Sequence, residues 1–281
     1  METLSIQHWL MQARQSLINV DYPELEARLI LGKVLRRDKA WLMAHSEVYL
    51  TSDQTFLASQ LLAARISGQP LPYVLGEWEF YGLPFYVNEH TLIPRPETEL
   101  LVETALASLN HRSEVSSIAD VGTGSGCIAI SIAKNYRNCH LTASDISLQA
   151  LKVAQQNCLR HDVGDRVSLV NLDLLQGLWT KFHLICANLP YIPSNTLAKL
   201  DVKQHEPVTA LDGGKDGLDF IRTLLRESRD HLHPGGMLLA EIEYTQEAPV
   251  LSLAQAYFPE SNIQIKNDLS GLPRLLVINY R

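Results

Sequence analysis

Short apolar runs alternate with segments of helical period from Glu97 onward, and this alternation limits that part of the chain to an α/β architecture. The segment between the last two runs, 267–274, reads NDLSGLPR and is too short for the crossover that joins two parallel strands. We therefore expect a mostly parallel sheet with one antiparallel strand at its end. The seven predicted strands lie at about 117–121, 140–144, 166–170, 183–187, 236–242, 262–266 and 275–279.

The N-terminal part carries helical periodicity only, which predicts a small helical bundle. Two helix starts are marked by a polar residue with a partner three positions on: Asp21 with Glu24, and Thr51 with Gln54. Pro23 suits the first turn of the helix that Asp21 would cap. Two apolar stripes at helical spacing are expected to face the core: Ile6, Trp9, Leu10, Ala13 and Leu17, and Ala27, Ile30, Leu31 and Val34.

Between these two parts, glycine and proline interrupt a run of aromatic residues. The aromatic residues favour strands, whereas Gly82 and Pro84 favour turns, so the pattern predicts a β-hairpin connector. We therefore expect a helical domain at 1–75, a hairpin connector at 76–96 and a larger domain at 97–281. The aromatic residues concerned are Trp78, Phe80, Phe85 and Tyr86.

Charge and composition narrow the class of protein. With 46% apolar and 20% charged residues among 281, the chain can bury a sizeable interior. The formal net charge of −7 argues against a nucleic-acid partner, because binding through phosphates needs a surplus of lysine and arginine on one face. No apolar run is long enough to cross a membrane, and the four cysteines lack C-x-x-C spacing. We expect a cytoplasmic monomer with reduced thiols, no metal site and no membrane or nucleic-acid partner.

A glycine-rich turn follows the first predicted strand of the larger domain: Gly122, Thr123, Gly124, Ser125 and Gly126. Glycines let the backbone turn tightly and approach a ligand, while N–H groups of the following helix point at it. The spacing is G-x-G-x-G, which differs from the G-x-G-x-x-G of dinucleotide-binding proteins. The turn indicates a ligand site without an NAD signature, although such turns also occur with no ligand.

Two carboxylates follow the next two predicted strands. Asp145 ends the second strand, 19 residues after Gly126 (145 − 126), where a carboxylate can accept both hydroxyls of a ribose. The alternative is that Asp145 only caps the helix that begins at Ser147. Asp173, beyond the third strand, is placed to meet the edge of an adenine, with Leu174 against its face. The alternative for Asp173 is an ordinary turn residue.

Together, the glycine turn and the two carboxylates resemble the cofactor site of class I S-adenosyl-L-methionine-dependent methyltransferases. The resemblance implies a Rossmann-like, seven-stranded sheet whose final strand is antiparallel. It implies S-adenosyl-L-methionine as the cofactor, released as S-adenosyl-L-homocysteine. The cofactor-binding residues that it implies are Gly122, Thr123, Gly124, Ser125, Gly126, Asp145, Asp173, Leu174 and Asn188.

The fourth predicted strand is followed by Asn188, Leu189, Pro190 and Tyr191, at the edge where open α/β sheets bind ligands. A plain turn is one interpretation. The tetrapeptide also resembles the N-P-P-Y motif of enzymes that methylate planar amide or amine nitrogens, which implies that all four residues are catalytic. Asn188 Oδ1 and the Leu189 carbonyl would accept the two substrate N–H groups, and Tyr191 would pack on the substrate plane. Leu189 stands where proline is usual but keeps the carbonyl, and Pro190 biases it towards an extended conformation.

Four further segments resemble the release factor glutamine methyltransferase family: 76–87, 91–103, 205–222 and 268–281. The resemblance implies methylation of the side-chain nitrogen (N5) of the glutamine in the Gly-Gly-Gln motif. It implies class 1 peptide chain release factors as the protein substrate, which the N-terminal helical domain would grip.

Other interpretations stay open. Read singly, the segments allow a surface ion pair between Arg95 and Glu97, an ordinary loop at 206–207 and a flexible turn at 212–217. An N5-glutamine methyltransferase of a large-subunit ribosomal protein is the second-ranked enzyme. An adenine N6-methyltransferase acting on RNA or DNA is another, because the tetrapeptide also resembles that of ribosomal RNA adenine N6-dimethyltransferases. A non-catalytic module that binds the cofactor is the remaining alternative.

Overall fold

The computed structural model describes residues 4–110, 112 and 114–281. The chain divides into two compact units, Met1–Glu77 and Trp78–Arg281. The first unit is helical, and the second is built on a seven-stranded sheet. Within the described residues, no helix combines the length and the apolar character needed to cross a membrane.

The first unit consists of helices whose apolar stripes form its core. Both predicted stripes are buried, except for Leu10 and Val34, which are partly exposed. Thr51 and Gln54 form the predicted capping box, in which the Thr51 hydroxyl accepts from the Gln54 N–H at 3.2 Å and Gln54 Oε1 accepts from the Thr51 N–H at 2.9 Å. The helices are α1 (Ile6–Ser16), α2 (Pro23–Leu35), α3 (Lys39–Ala44), α4 (Ser52–Ile66) and α5 (Leu71–Leu75).

The predicted cap at Asp21 is wrong. Tyr22 occupies the cap position of α2, Pro23 takes the first helical position, and no side chain at the cap accepts a hydrogen bond from the first turn. The proline decides where the helix starts, because its ring sets a helical φ and it has no N–H that needs a partner.

The predicted hairpin is present and consists of β1 (Glu77–Phe80) and β2 (Leu83–Tyr86). The turn between them is Tyr81–Gly82, and both residues have positive φ, 52° and 69°, as two-residue hairpin turns of the primed type require. Pro84, expected in the turn, lies within β2 instead. A two-stranded sheet has only edge strands, so a residue without an N–H is tolerated there.

The sheet of the second unit has the order β5-β4-β3-β6-β7-β9-β8. Strands β3 to β7 pair in parallel, and β9 pairs antiparallel with both of its neighbours. The predicted fold class, with its antiparallel final strand, is confirmed. The strands are β3 (Ser116–Val121), β4 (Cys139–Asp145), β5 (Val167–Asn171), β6 (Phe182–Ala187), β7 (Leu232–Glu241), β8 (Asn262–Asn267) and β9 (Pro273–Asn279).

The antiparallel strand does not form the edge of the sheet. β9 lies between β7 and β8, and β8 is the edge strand. The side chains explain this order, because Leu275 to Ile278 of β9 are all buried whereas β8 alternates between exposed and partly buried residues. A continuous apolar run needs cover on both faces, while an alternating strand suits an edge.

Successive residues of a strand point to opposite faces, and helices cover both faces of this sheet. Ile118 belongs to the apolar cluster that contains residues of α6, α7 and α8, and the next residue, Ala119, belongs to the cluster that contains residues of α10 and α11. The helices are α6 (Glu99–Leu109), α7 (Cys127–Asn135), α8 (Leu148–Arg160), α9 (Ser194–Leu197), α10 (Asp219–His231) and α11 (Glu247–Tyr257), with 3₁₀ turns at Pro96–Thr98, Asp201–Gln204, Val208–Ala210 and Tyr244–Gln246.

Because β5, β4, β3 and β6 are adjacent and parallel, the loops that follow them leave the sheet at one edge. These loops carry the glycine turn, the two predicted carboxylates and the Asn188 tetrapeptide. The topology therefore brings the separate sequence motifs to one place.

Candidate active site

The loops at this edge surround a cavity of about 510 Å³, within the usual range for small-molecule sites. Most of the predicted site residues line it, and Gly126 and Tyr191 do not. Those that line it are Gly122, Thr123, Gly124, Ser125, Asp145, Asp173, Leu174, Asn188, Leu189 and Pro190.

The three glycines of the turn all have positive φ, yet each serves a different purpose. A side chain at Gly124 would meet nothing within 4 Å, so this residue faces open space. A Cβ at Gly122 would come within 2.8 Å of Leu189 Cδ2, and one at Gly126 would lie 3.0 Å from Ile130. A Cβ at Gly126 would also lie 3.3 Å from Ala154 Cβ of α8, so Gly126 permits the close packing of α7 on α8.

Asp145 links the glycine turn to the start of α8. Its Oδ2 accepts from the Gly124 N–H at 2.9 Å, and its Oδ1 accepts from the Ser147 N–H at 2.8 Å. Burial raises the pKa of Asp145, and the two N–H groups oppose that rise. The cap of α8 is Ser147, whose hydroxyl accepts from the Ala150 N–H at 3.2 Å. Asp145 therefore supports the start of α8 without being its N-cap, and it lines the cavity.

Apolar residues complete this side of the cavity. Ile146 lines it with 66% of its surface exposed, beside Leu172 and Leu174. Leu174 has the positive φ of 51°, and its carbonyl accepts from the Ser144 hydroxyl at 3.0 Å. The sequence patterns did not identify Ile146 as a site residue. The signal that could have identified it is its position directly after Asp145. Carboxylate, backbone N–H groups and an apolar wall together fit a nucleoside.

Among the residues that the structure describes, Asp120 Oδ1, a buried atom next to the turn, has no hydrogen-bond partner. The second oxygen of Asp120 accepts from the Thr123 hydroxyl at 2.6 Å and from the Ala129 N–H at 3.2 Å. Burial, the largest effect, raises the pKa of Asp120 to about 6.

The Asn188 tetrapeptide forms the opposite wall. Asn188 Nδ2 donates to the Thr98 hydroxyl at 3.0 Å. Leu189 is buried, and its side chain packs against Gly122. Tyr191 does not line the large cavity but lines a small one together with Leu189 and Glu241, and burial raises its pKa to about 12.

Thr98 and Glu241 are site residues that the sequence patterns did not find. The Thr98 hydroxyl donates to Glu241 Oε2 at 2.6 Å, and both residues are buried. Burial is the main cause that raises the pKa of Glu241 to about 7, against the Thr98 hydrogen bond and Arg274. The available signal was an acid at the end of a strongly apolar strand in the centre of the sheet.

The two flanking segments are joined by a buried carboxylate. Glu206, 7% exposed, binds the Arg95 guanidinium through Oε1 and accepts from the Ile93 N–H at 3.1 Å through Oε2. The suggested surface pair between Arg95 and Glu97 is therefore wrong, and 206–207 is more than an ordinary loop. Because Arg95 and Val208 both line the cavity, this contact joins two of its walls.

The segment 212–217 helps to hold the tetrapeptide in place. It is therefore more than the flexible turn that the sequence also allowed. Ile192 donates its N–H to the Leu211 carbonyl at 3.1 Å and accepts from the Gly213 N–H at 2.8 Å. Gln246 Nε2 donates to the carbonyl oxygens of Tyr191, at 3.0 Å, and Gly217, at 3.1 Å. These bonds fix the backbone on the C-terminal side of Asn188.

The fold and the site define a class: a seven-stranded methyltransferase sheet with a nucleoside-type cavity at the carboxyl ends of its central strands. Two family models match the chain, "PrmC N-terminal domain" at residues 8–76 and "Methyltransferase small domain" at 96–204. The fold and the second match place the chain in the methyltransferase class.

The release factor glutamine methyltransferase of Coxiella burnetii is 37% identical over 281 residues, covering 98% of both chains. That of Koribacter versatilis is 40% identical over 261 residues, covering 91% of this chain and 90% of its own. The chain belongs to the release factor glutamine methyltransferase family.

One solved structure shows the fold alone. The ribosomal protein L11 methylase of Lactobacillus delbrueckii subsp. bulgaricus superposes with a TM-score of 0.50 at 21% identity, covering 69% of this chain and 84% of that chain.

Replacing Glu241 by glutamine should remove a pH dependence of stability. The pKa of Glu241 is raised from 4.5 to about 7 in the folded state, so its contribution is fully present below pH 4.5 and is lost as the pH rises through 7. Between pH 5 and pH 8 the wild type should lose roughly 2–3 kcal/mol relative to Glu241→Gln. Urea denaturation of both proteins across this range measures the difference.

Glu260→Gln, at an exposed position, serves as the matched control and should follow the wild type. The buried Asp120 titrates alike in all three proteins, so it cancels in the comparison. If the free energy of unfolding changes with pH in the same way for the wild type and Glu241→Gln, the raised pKa of Glu241 is contradicted.

Gly217→Ala should destabilise the protein by displacing the backbone at Tyr191, the last residue of the tetrapeptide. Gly217 has φ 78°, and a Cβ there would collide with the Tyr191 carbonyl and lie 2.8 Å from Gln246 Nε2. Gly235 has a similar φ of 75° with nothing within 4 Å, so Gly235→Ala carries the backbone strain alone. We expect Gly217→Ala to cost about 2 kcal/mol more than Gly235→Ala in thermal denaturation. Equal losses would show that the contact with Tyr191 does not matter.

Proposed function

We propose that this protein transfers a methyl group from S-adenosyl-L-methionine to the side-chain nitrogen (N5) of the glutamine in the Gly-Gly-Gln motif of class 1 peptide chain release factors. The observation that carries the proposal is the family: relatives of that name match at 37–40% identity across both units of the chain. The position of Asn188 at the wall of the nucleoside-type cavity supports it.

The cofactor residues fit the group that the family uses. Asp145 would hold the ribose hydroxyls, the turn at 122–126 would approach the methionine part, and Asp173 with Leu174 would meet the adenine. Ile146 adds an apolar contact beside Asp145. When bound, S-adenosyl-L-methionine supplies an electrophilic methyl group on a sulfonium.

The residues of the tetrapeptide would position a weak nucleophile. An amide lone pair is delocalised, so the rate must come largely from holding the nitrogen in line with the methyl carbon. Asn188 Oδ1 and the Leu189 carbonyl would accept the two N–H groups of the glutamine. The tetrapeptide would hold this nitrogen for transfer of the methyl group from the sulfonium, and after transfer the nitrogen would lose one proton to water.

Leucine at 189 suits this role in an additional way. Its carbonyl is available as in the family pattern, and its side chain fills the space above Gly122. The side chain therefore packs the tetrapeptide directly on the glycine turn. The role of Tyr191 on the plane of the amide stays a prediction, because Tyr191 lines the small cavity and not the large one.

The partners and location follow from the substrate. We infer that the protein acts in the cytoplasm as a monomer and that its helical unit contacts the release factor. No specific observation favours the adenine, ribosomal-protein or non-catalytic alternatives.

Mass spectrometry of a class 1 release factor incubated with this protein and S-adenosyl-L-methionine should detect one added methyl group on the Gly-Gly-Gln peptide. The same release factor with glutamate in place of that glutamine should gain none. An unmodified peptide beside an active control enzyme would refute the proposal. Labelled methyl groups in ribosomal RNA or in a large-subunit ribosomal protein would favour the two enzyme alternatives.

Asn188→Ala and Asp145→Ala should separate turnover from cofactor binding. Asn188→Ala removes an acceptor at the reacting nitrogen and should lower kcat by roughly 100- to 1,000-fold with little change in cofactor affinity. Asp145→Ala should weaken cofactor binding by roughly 10- to 100-fold, because it removes charged hydrogen bonds. Isothermal titration with the cofactor and steady-state methyl transfer measure the two effects.

Asn262→Ala, at an exposed asparagine that starts β8, is the control for amide removal and should behave like the wild type. If Asn188→Ala abolishes cofactor binding while the rate per bound cofactor stays normal, its proposed role is wrong.

A further inference from the structure

We propose that Thr98 and Glu241 are positioning residues that fix the orientation of the Asn188 side-chain amide, so that its oxygen faces the substrate and its nitrogen does not. The proposal rests on the proposed function, in which Asn188 Oδ1 accepts an N–H of the glutamine amide. It explains why a buried acid and a buried hydroxyl stand behind the tetrapeptide.

The three side chains form one hydrogen-bonded chain. The Thr98 hydroxyl donates to Glu241 Oε2 at 2.6 Å and accepts from Asn188 Nδ2 at 3.0 Å. Thr98 is 2% exposed and Glu241 is 5% exposed, so water does not compete freely for these bonds. Both bonds are therefore stronger than they would be at the surface.

The chemistry of the three side chains decides which atom donates and which accepts in each of the two hydrogen bonds. Above pH 7, where Glu241 is ionised, its carboxylate only accepts hydrogen bonds, so the single proton of the Thr98 hydroxyl is committed to Glu241. The oxygen of Thr98 is then left with acceptor capacity only, and it can be satisfied by Asn188 Nδ2 but not by Asn188 Oδ1. The amide is thereby held with its nitrogen towards Thr98 and its oxygen at the opposite end.

The free end of the amide is available at the cavity. Asn188 lines the cavity and is partly exposed. Across the part of the chain that the structure describes, its Oδ1 accepts no hydrogen bond from the protein, in contrast to its Nδ2. An unoccupied acceptor of fixed direction suits an incoming N–H group.

The sheet register supplies the geometry. Ala187 of β6 pairs with Ala240 of β7, so the next residues, Asn188 and Glu241, lie side by side at the ends of these two strands. Thr98 ends the 3₁₀ turn that leads into α6, and its own N–H is bonded to the Arg95 carbonyl at 3.1 Å. The hydrogen-bonded side chains of Asn188, Thr98 and Glu241, here called the relay, thus connect the ends of two central strands to the start of a helix.

Without this relay, the amide can rotate by half a turn, since the terminal torsion of asparagine is roughly two-fold. A rotated amide would present its own N–H groups to the N–H groups of the substrate and would repel them. Outer partners that orient a functional side chain typically contribute roughly 10- to 100-fold to activity. We expect a loss in that range when the Thr98 hydroxyl is removed.

Thr98→Val removes the hydroxyl at nearly constant shape, and Thr98→Ser restores it. Methyl transfer at pH 8.5, where Glu241 is ionised, should show kcat lowered roughly 10- to 100-fold in Thr98→Val and largely retained in Thr98→Ser. The Kd of the cofactor, measured by titration, should stay within about twofold in both. Thr104→Val, which removes a buried hydroxyl of α6 that accepts from Lys266 Nζ at 3.3 Å, is the control and should keep the wild-type kcat.

A double-mutant cycle separates positioning from direct contact. In the Asn188→Ala background, Thr98→Val should cause no further loss, because there is no amide left to orient. An equal loss in both backgrounds, or full activity of Thr98→Val beside an active wild type, would overturn the proposal.

A second readout does not depend on the substrate. The side-chain NH₂ signals of Asn188 in an NMR spectrum, identified by their absence in Asn188→Ala, should shift in Thr98→Val and not in Thr104→Val. Unchanged signals in Thr98→Val would overturn the relay. An inactive wild type with shifted signals would refute the proposed function and leave the relay standing.

Discussion

The parallel register of β6 with β7 and with β3 is the constraint on which the candidate site depends. It places Asn188 next to Glu241 on one side and next to the glycine turn on the other. Leu189 then closes on Gly122, where any side chain would collide with it at 2.8 Å. A slip of one residue in this register would turn every side chain of the strand to the other face and would separate these groups.

Several polar groups at the site are held at a cost in stability. Asp120 and Glu241 are buried carboxylates with raised pKa values, and Asp120 Oδ1 has no hydrogen-bond partner within the described part of the chain. Buried charges are retained where packing fixes their partners, here Thr123 and Thr98. The surrounding apolar clusters offset this cost and keep the loops in one arrangement, as a positioning mechanism requires.

Features with a local cause were predictable from the sequence. The capping box of Thr51 and Gln54, the hairpin and the strand pattern each depend on neighbours within a few residues. The errors arose where two local signals competed or where a partner was distant. Pro23 outweighed Asp21 at a helix start, and Arg95 paired with a carboxylate 111 positions away.

The sequence by itself determined the strands, the helices and the motifs at their ends, because side-chain periodicity and turn chemistry act over short distances. Family resemblance added the expected reaction. Only the tertiary structure decided that β9 enters the sheet interior and that Thr98 and Glu241, 143 positions apart, stand behind Asn188. Such contacts depend on strand order and register, and the chain carries no local pattern that encodes which distant residues will meet.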